Sequence, residues 1–510
     1  MPKTGANLKE NHIKLLKTLS KSCRRSIIEM TGNAQSGHPG GSLSSIDYLS
    51  LLYAFIISKS GEKIVISNGH ISPAVYAILA EMGYIPKEKV IQSFRKLGSI
   101  YEGHVTRHVN GVWFGTGPLG IGVSVAAAFA LAENLKNSGE KVFAVMGDGE
   151  AQEGQVYEMM LFANKYRLNN LILFVDKNLL QLTGTLEDIM PTNLEEIFKA
   201  NNWEVIECNG HDFNEMWKAL GKAGKSKDKP VVILGNTIMG KGIEFMEKDW
   251  VNRKSTWHGK VPDEKQSQEA LDKLSINEKE ISLLKDFQKQ IEWQPEKPVF
   301  RPSLEPIAVN TGKPILYDPS THTDCRSAYG QALLDLAKLN KNILALSADL
   351  SSSVMTKYVA AEIPNQHIEC GISEQNMISV AGGLSLDGFI PFCSTFGVFI
   401  TSRAKDQARL NDINRTNVKM VATHCGLSVG EDGPTHQAID DSGSFLGLFN
   451  TMPIEPVDPN HTDRIIRYIA SHYGNFYVRM GRHKVPVITK EDGSPLYGEN
   501  YRYEYGKCDI

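Results

Sequence analysis

Neither sign of charge dominates this sequence: 55 lysines and arginines stand against 58 aspartates and glutamates, a net charge of -3 over 510 residues. That balance supplies no broad positive field to draw nucleic acid or anionic membrane, so any recognition of phosphate has to be local. Cysteine is scarce as well. The seven (Cys23, Cys208, Cys325, Cys370, Cys393, Cys425, Cys508) are odd in number, scattered, and contain no Cys-x-x-Cys pair. This argues against a disulfide framework or a zinc knuckle and points to a reducing cytoplasm. Also missing is any run of about eighteen apolar residues, the length a membrane-spanning helix needs. The N-terminus, MPKTGANLKENHIKLLKTLSK, is charged and periodic and carries no apolar core with a cleavage site. A cytoplasmic protein with no nucleic acid and no membrane as partners is the expectation.

Apolar types make up 41% of the chain, enough to bury large cores, and the usual domain size of about 150 residues suggests roughly three domains. Strand-like runs at Lys63–Ser67, Lys141–Met146 and Leu171–Val175 alternate with amphipathic stretches, the pattern of a parallel sheet covered by helices on both faces. Each run leads into polar or glycine-rich residues, Asn68-Gly69-His70, Gly147-Asp148-Gly149 and Asp176-Lys177-Asn178, where ligands of such folds bind. From about residue 274 the chain turns charged and then proline-bearing, which reads as a linker over 276–320. Strands resume at Ile343–Ser347, Lys419–Thr423 and Phe476–Met480. The expected architecture is therefore α/β, with two doubly wound domains at 1–275 and 321–485 and a tail at 486–510.

The stretch KVFAVMGDGEAQEGQVYEMMLFANKYRLNNLILFVDKN reads as strand, glycine-bearing turn, helix and strand. A right-handed crossover brings its two strands into one parallel sheet with their ends on the same edge, making Asp148 and Asn178 neighbours. A carboxylate, an amide oxygen and a nearby backbone carbonyl form an all-oxygen set suited to magnesium or calcium. Gly147 and Gly149 let the backbone approach a diphosphate closely. Gly-Asp-Gly alone is a common turn; the Asn at the second strand end is what raises it above one. Four histidines, His38 (SGHPGG), His70 (SNGH), His104 (YEGHVTR) and His258 (TWHGK), follow glycine or lie in short turns, placing imidazoles where protons can move near neutral pH.

In the second half, ECGISEQNMISVAGGLSL is a small-residue helix with Glu374 in its first turn, a place where glutamate is ordinarily a cap. STFGVF sets Phe396 and Phe399 three apart, as core or as a clasp for a flat ring. VATHCGLSVGEDGPTHQ strings His424, Glu431, Asp432 and His436 along a glycine-shaped loop after an apolar strand.

The Gly-Asp-Gly to Asn segment resembles the diphosphate-and-metal motif of thiamine-diphosphate enzymes. GHPGG, SNGH, GTGPLG and WHG, with the Glu374 helix and GEDGPTH, resemble the transketolase family in particular, over about residues 10–485. By that resemblance Asp148 and Asn178 are side-chain metal ligands and Leu180 gives a backbone carbonyl. His70, Gly117, Leu119, Gly147, Gly149, Asn178, His258, Glu374, Phe396 and Phe399 would hold thiamine diphosphate, and Glu374, His258, His38, His104 and His436 would act in catalysis. Glu374 would face the aminopyrimidine nitrogen and be kept protonated by apolar surroundings. His38, His258, Arg326, Ser353, His424, Asp432 and Arg479 would grip the sugar phosphate.

The sequence departs from the family at Val105 and Thr106, where relatives carry proline and an acid, and at Cys425, where many carry an acid. The resemblance further implies a first domain binding diphosphate and metal, a second binding the pyrimidine, and a homodimer with its active sites at the subunit interface. It also implies a tail leading toward a third domain that the chain does not contain. The function expected is transfer of a two-carbon ketol unit between phosphorylated sugars such as xylulose 5-phosphate and ribose 5-phosphate. A 1-deoxyxylulose-5-phosphate synthase-like enzyme and a truncated, non-catalytic cofactor-binding module are the alternatives.

Overall fold

The computed structural model describes residue 2 and residues 5–507; Cys508 and the end of the expected tail lie outside the described residues. Two compact units divide the chain, Met1–Pro298 and Val299–Ile510.

The first unit holds a five-stranded sheet of β1 (Lys63–Ile66), β2 (Val142–Gly147), β3 (Leu171–Lys177), β4 (Glu204–Asn209) and β5 (Val231–Asn236), in the order β1-β2-β3-β5-β4. Every pairing is parallel. The first three strands are apolar almost throughout and buried, as strands covered on both faces must be. β4 escaped the sequence reading because it alternates buried and exposed positions at the sheet edge. Against the expectation that no segment is long and apolar enough to cross a membrane, the helical stretch Pro39–Ser60 is so by length and composition; 94% of its most apolar 18-residue window is buried inside the protein.

The expected linker needs correcting at its start. Glu278–Gln288 is a helix, capped by Asn277 and Glu280, each accepting from the other's backbone N–H at 3.0 Å. Leu284 and Phe287, three apart, join the first unit's core, and Trp293 packs edge-on against Tyr84. A charged composition hid a helix with one narrow apolar stripe.

The second unit contains β6 (Thr323–Asp324), β7 (Ile343–Ser347), β8 (His367–Glu369), β9 (Ile390–Phe396), β10 (Lys419–Thr423), β11 (Thr451–Ile454), β12 (Asn475–Arg479) and β13 (Lys484–Val485). Six of them form a parallel sheet in the order β11-β12-β10-β9-β7-β8, and β13 pairs antiparallel with β6. The tail is packed along this unit: Tyr497 stacks on His461 at 4.3 Å and Tyr503 meets Tyr468 at 5.1 Å. The architecture is α/β with two parallel sheets.

Candidate active site

In the first unit, β2 and β3 are direct neighbours, with Gly147 opposite Asp176. Their tips therefore bring Asp148 to the turn after β3. Its Oδ2 accepts from the Leu179 N–H at 2.5 Å and its Oδ1 from the Gly149 N–H at 2.8 Å. Asn178 Oδ1 accepts from the Leu180 N–H at 3.0 Å. Leu179 takes a positive φ of 66° to make this tight turn, a conformation that costs a non-glycine residue energy and is kept where surrounding contacts dictate it.

Two acids that sequence reasoning left unassigned organise these tips. Asp176, 1% exposed, accepts from Ser44 at 2.5 Å, Ser45 at 2.9 Å, Thr237, and the Asn178 amide at 3.3 Å. It thereby orients Asn178. Glu150 accepts from Ser67 at 2.5 Å and from the N–H groups of Gly120 and Gly147 at 2.8 and 3.2 Å. Burial pushes Asp148 and Glu150 up to about 7 and raises Asp176 as well, because a carboxylate removed from water without a cation is costly. The signal for Asp176 was its place two residues before Asn178.

A cavity of about 540 Å³ opens at these tips. His38, His70, His104, His258, Gly117, Leu119, Gly147, Asp148, Gly149, Asn178 and Leu180 all line it, with Asn68, Asp176, Glu150 and Met239 among the further lining residues. His38 is the hub of the imidazoles, 5.3, 5.9 and 5.8 Å from His70, His104 and His258. Burial pushes His38 down to about 4, helped by His258 and Arg95, and lowers His70, His104 and His258 too. Neutral rings at neutral pH each offer one donor and one acceptor. Three buried polar atoms here, His38 Nδ1, His258 Nδ1 and Asn68 Oδ1, have no hydrogen-bond partner among the described residues.

The departure at Val105 has a structural use. Its N–H donates to the Gly69 carbonyl at 3.2 Å, and its carbonyl accepts from the Thr116 N–H at 3.0 Å. Those bonds tie the His104 loop to the His70 and Gly117 loops, and proline could not make the first of them.

In the second unit Glu374 opens the helix Glu374–Leu386 and is 2% exposed. The apolar surroundings expected of it are interrupted by Arg403, whose Nη1 donates to Oε2 at 2.6 Å. Phe396 and Phe399 lie nearly parallel, 5.8 Å apart. His424, at the tip of β10, sits 3.9 Å over Phe396, and His436 meets Phe399 at 5.4 Å. Burial, with Arg326 and Arg482 adding, pushes His424 down to about 4. Arg326 donates to the Ser353 carbonyl at 3.0 Å and to the Arg482 carbonyl at 3.3 Å.

Arg479, expected at the sugar phosphate, is already paired within this unit. Its Nε donates to Asp441 at 2.7 Å, its Nη2 to the same carboxylate at 3.3 Å, and its Nη1 lies 2.6 Å from Glu455. The guanidinium is held by two carboxylates, one of them fully buried, so the expected phosphate contact would require it to exchange partners. Arg482, three residues on and past the strand end, pairs with Glu431 at 2.7 Å and Asp432 at 3.3 Å. It is the arginine on the His424 side, and sequence reasoning passed over it in favour of the one inside the apolar strand.

Residues 16–297 match the family described as transketolase, thiamine diphosphate binding domain, and residues 321–487 that described as transketolase, pyrimidine binding domain. The chain belongs to the transketolase family. Transketolase-like protein 2 of Mus musculus is 31% identical over 97% of the chain and 78% of its own length. Transketolase of the same species is 30% identical over 98% of the chain and 78% of its own length. The crystal structure of transketolase from Campylobacter jejuni superposes with a TM-score of 0.80 at 28% identity, covering 94% of this chain and 80% of that one. In this transketolase-family chain, no cluster of three or more His, Cys, Asp or Glu side chains is placed to hold a metal among the described residues; the oxygen set at Asp148 and Asn178 contains a single carboxylate.

Proposed function

We propose that the chain is a transketolase, moving a two-carbon ketol unit from a ketose phosphate such as xylulose 5-phosphate to an aldose phosphate such as ribose 5-phosphate. The observation that carries this reading is the histidine-lined cavity with three buried, unpartnered polar atoms opening directly onto the Asp148 and Asn178 tips. Buried polar groups without partners are uncommon in finished structures, and a polar ligand would supply them. Gly147 fits a closely approaching diphosphate, since a Cβ there would meet nothing nearer than Asn68 Nδ2 at 3.9 Å and would occupy cavity space.

Thiamine diphosphate, when bound, supplies the nucleophilic carbon on which the ketol unit is carried. Asp148, Asn178 and the Leu180 carbonyl would hold magnesium or calcium, the low protein charge at the tips being made up by the diphosphate. His70, Gly117, Leu119 and Gly149 would line its bed. Glu374 would hold a proton at its carboxyl against the pyrimidine nitrogen, with Phe396 and Phe399 excluding water around the ring. His38, His104 and His258, kept neutral near pH 7 by burial, would with His436 donate to and accept from sugar hydroxyls and carry protons at the reacting carbons. Asp432 and His424 would orient the sugar, and Arg326, Ser353 and Arg482 would receive the phosphate, guanidinium forks being matched to that anion.

The reading includes a homodimer, in which the histidine cavity of one protomer is completed by the Glu374 face of its partner, working in a reducing cytoplasm where the six buried free thiols persist. One preparation tests it: calorimetry with thiamine diphosphate and magnesium, then assays of ketol transfer between phosphosugars and of pyruvate decarboxylation. Metal-dependent binding with ketol transfer is expected. Binding with pyruvate turnover alone, or with neither activity, would overturn it.

A further inference from the structure

Glu374 and Phe399 are two of the groups on which the proposed pyrimidine end of the site depends, and both are already engaged by one side chain. Arg403 donates from Nη1 to Glu374 Oε2 at 2.6 Å, and its guanidinium carbon lies 4.9 Å from the centre of the Phe399 ring. Phe399–Arg403 forms a single π-helical turn, separated from the end of β9 by two residues. Such turns use wider hydrogen-bond spacing than an α-helix and recur at functional sites. Here the turn places its first and last residues together, the guanidinium over the ring. The Glu374 side chain is 3% exposed while that of Arg403 is 44% exposed, so within one protomer the acid is fixed inside and the base is free to swing off it. Among the described residues, no other cation forms an ion pair with Glu374.

A buried carboxylate needs its partner: removing one member of such a pair leaves an uncompensated charge. A flat heteroaromatic ring that stacks on Phe399 and hydrogen-bonds Glu374 needs both surfaces that the guanidinium covers. Resting on the functional reading above, we propose that Arg403 is a positioning residue acting through Glu374, holding the carboxylate and covering Phe399 until the ring of the ligand displaces its guanidinium toward solvent. The competent form is then only part of the free population, and the apparent affinity is reduced by that fraction.

Calorimetric titration of thiamine diphosphate with magnesium into the full chain tests this, using wild type, Arg403→Gln, Arg403→Met, Arg403→Lys, Glu374→Gln and the Glu374→Gln/Arg403→Gln pair. Arg403→Gln should bind about three- to tenfold more tightly, because the displaced contact no longer exists, and Arg403→Lys should return toward wild type. In the Glu374→Gln background the Arg403 change should have a clearly smaller effect, only the uncovering of Phe399 remaining, the signature of coupled groups. Arg403→Met, which keeps an apolar stem over Phe399, replaces Arg403→Gln if thermal melting shows that the latter is unfolded. Weaker or unchanged binding in the variant, or the same effect in both backgrounds, overturns the inference. If wild type takes up no thiamine diphosphate, the functional reading falls and this inference with it; if wild type binds and Arg403→Gln does not tighten, this inference alone falls.

Discussion

The two units arrange their polar side chains in opposite ways. In the first, the carboxylates at the strand tips are held by hydroxyl and backbone N–H donors, with no ion pair among the described residues, while two imidazole nitrogens and the Asn68 oxygen beside them are buried and find no protein partner among the described residues. In the second, the functional groups satisfy one another, Glu374 with Arg403 and Arg482 with Glu431 and Asp432. The first is a preformed bed whose desolvation costs are already present without a ligand. The second is a set of ion pairs, each with at least one member open to water, that have to exchange partners. A preformed site gains affinity from what it lacks, whereas a self-paired one trades affinity for selectivity toward ligands able to replace its own contacts.

The largest effect should come from the acid in the self-paired unit. Glu374→Ala is expected to lower ketol transfer by at least about 10²–10⁴-fold, the range for loss of a positioned acid or base, while metal-dependent diphosphate binding stays within a few-fold. Steady-state assays and calorimetry on one sample check this. Parallel loss of both would erase the division of labour between the units.

Next, in the preformed unit, Asp148→Ala should weaken thiamine diphosphate binding in magnesium by at least about a hundredfold, and Asp176→Asn by about 10–100-fold, the usual effect of a group that orients a ligand to metal. Chelating the metal from wild type should mimic the first. Unchanged affinity in Asp148→Ala would break the metal assignment.

A smaller effect separates two arginines. Arg482→Gln should raise KM for a phosphorylated sugar about tenfold and leave that for its unphosphorylated analogue little changed, since a charge-assisted bond is worth about 1.5–3 kcal/mol. Arg479→Gln should instead destabilise the chain, by about 3–5 kcal/mol for the stranded buried Asp441, without selecting against phosphate. Thermal melts and paired KM values read both; the reverse pattern would restore the arginine inside the strand to the site.

The smallest effect is a titration. His38 is held near 4 by burial, below its ordinary 6.5, so the folded chain takes up this proton later than the unfolded chain as pH falls. The stability contributed by this one ring is therefore constant above about pH 7 and declines as pH drops from about 6.5 toward 4. Ring-carbon NMR shifts should show His38 titrating near 4; a midpoint near 6.5 would mean the cavity is wetter than its geometry implies.

Much of this was legible in the chain. β7 and β10 run over the same residues that the apolar pattern marked, because parallel strands buried on both faces read as continuous apolar runs. The candidates that cluster at the cavity were found from glycine-flanked motifs at strand ends, where the fold places ligands. Other features were hidden for physical reasons. β4 is a half-exposed edge strand. The helix Glu278–Gln288 has an apolar stripe too narrow to stand out in a charged segment. Arg479 and Arg482 are the same residue type three apart, and only the positions of Asp441 and Glu455 distinguish them.

Local sequence by itself determined the α/β alternation, the turns that carry oxygen donors, and the small-residue helix that begins with Glu374, because these depend on periodicity and on residues near one another along the chain. Tertiary structure alone decided which charges are already neutralised. Asp176 gathering Ser44, Ser45, Thr237 and Asn178, Arg403 closing on Glu374, and Arg479 consumed by Asp441 are pairings between distant segments. The strength of a polar group as a site depends on what it already bonds, and that is set by packing, which no local pattern records.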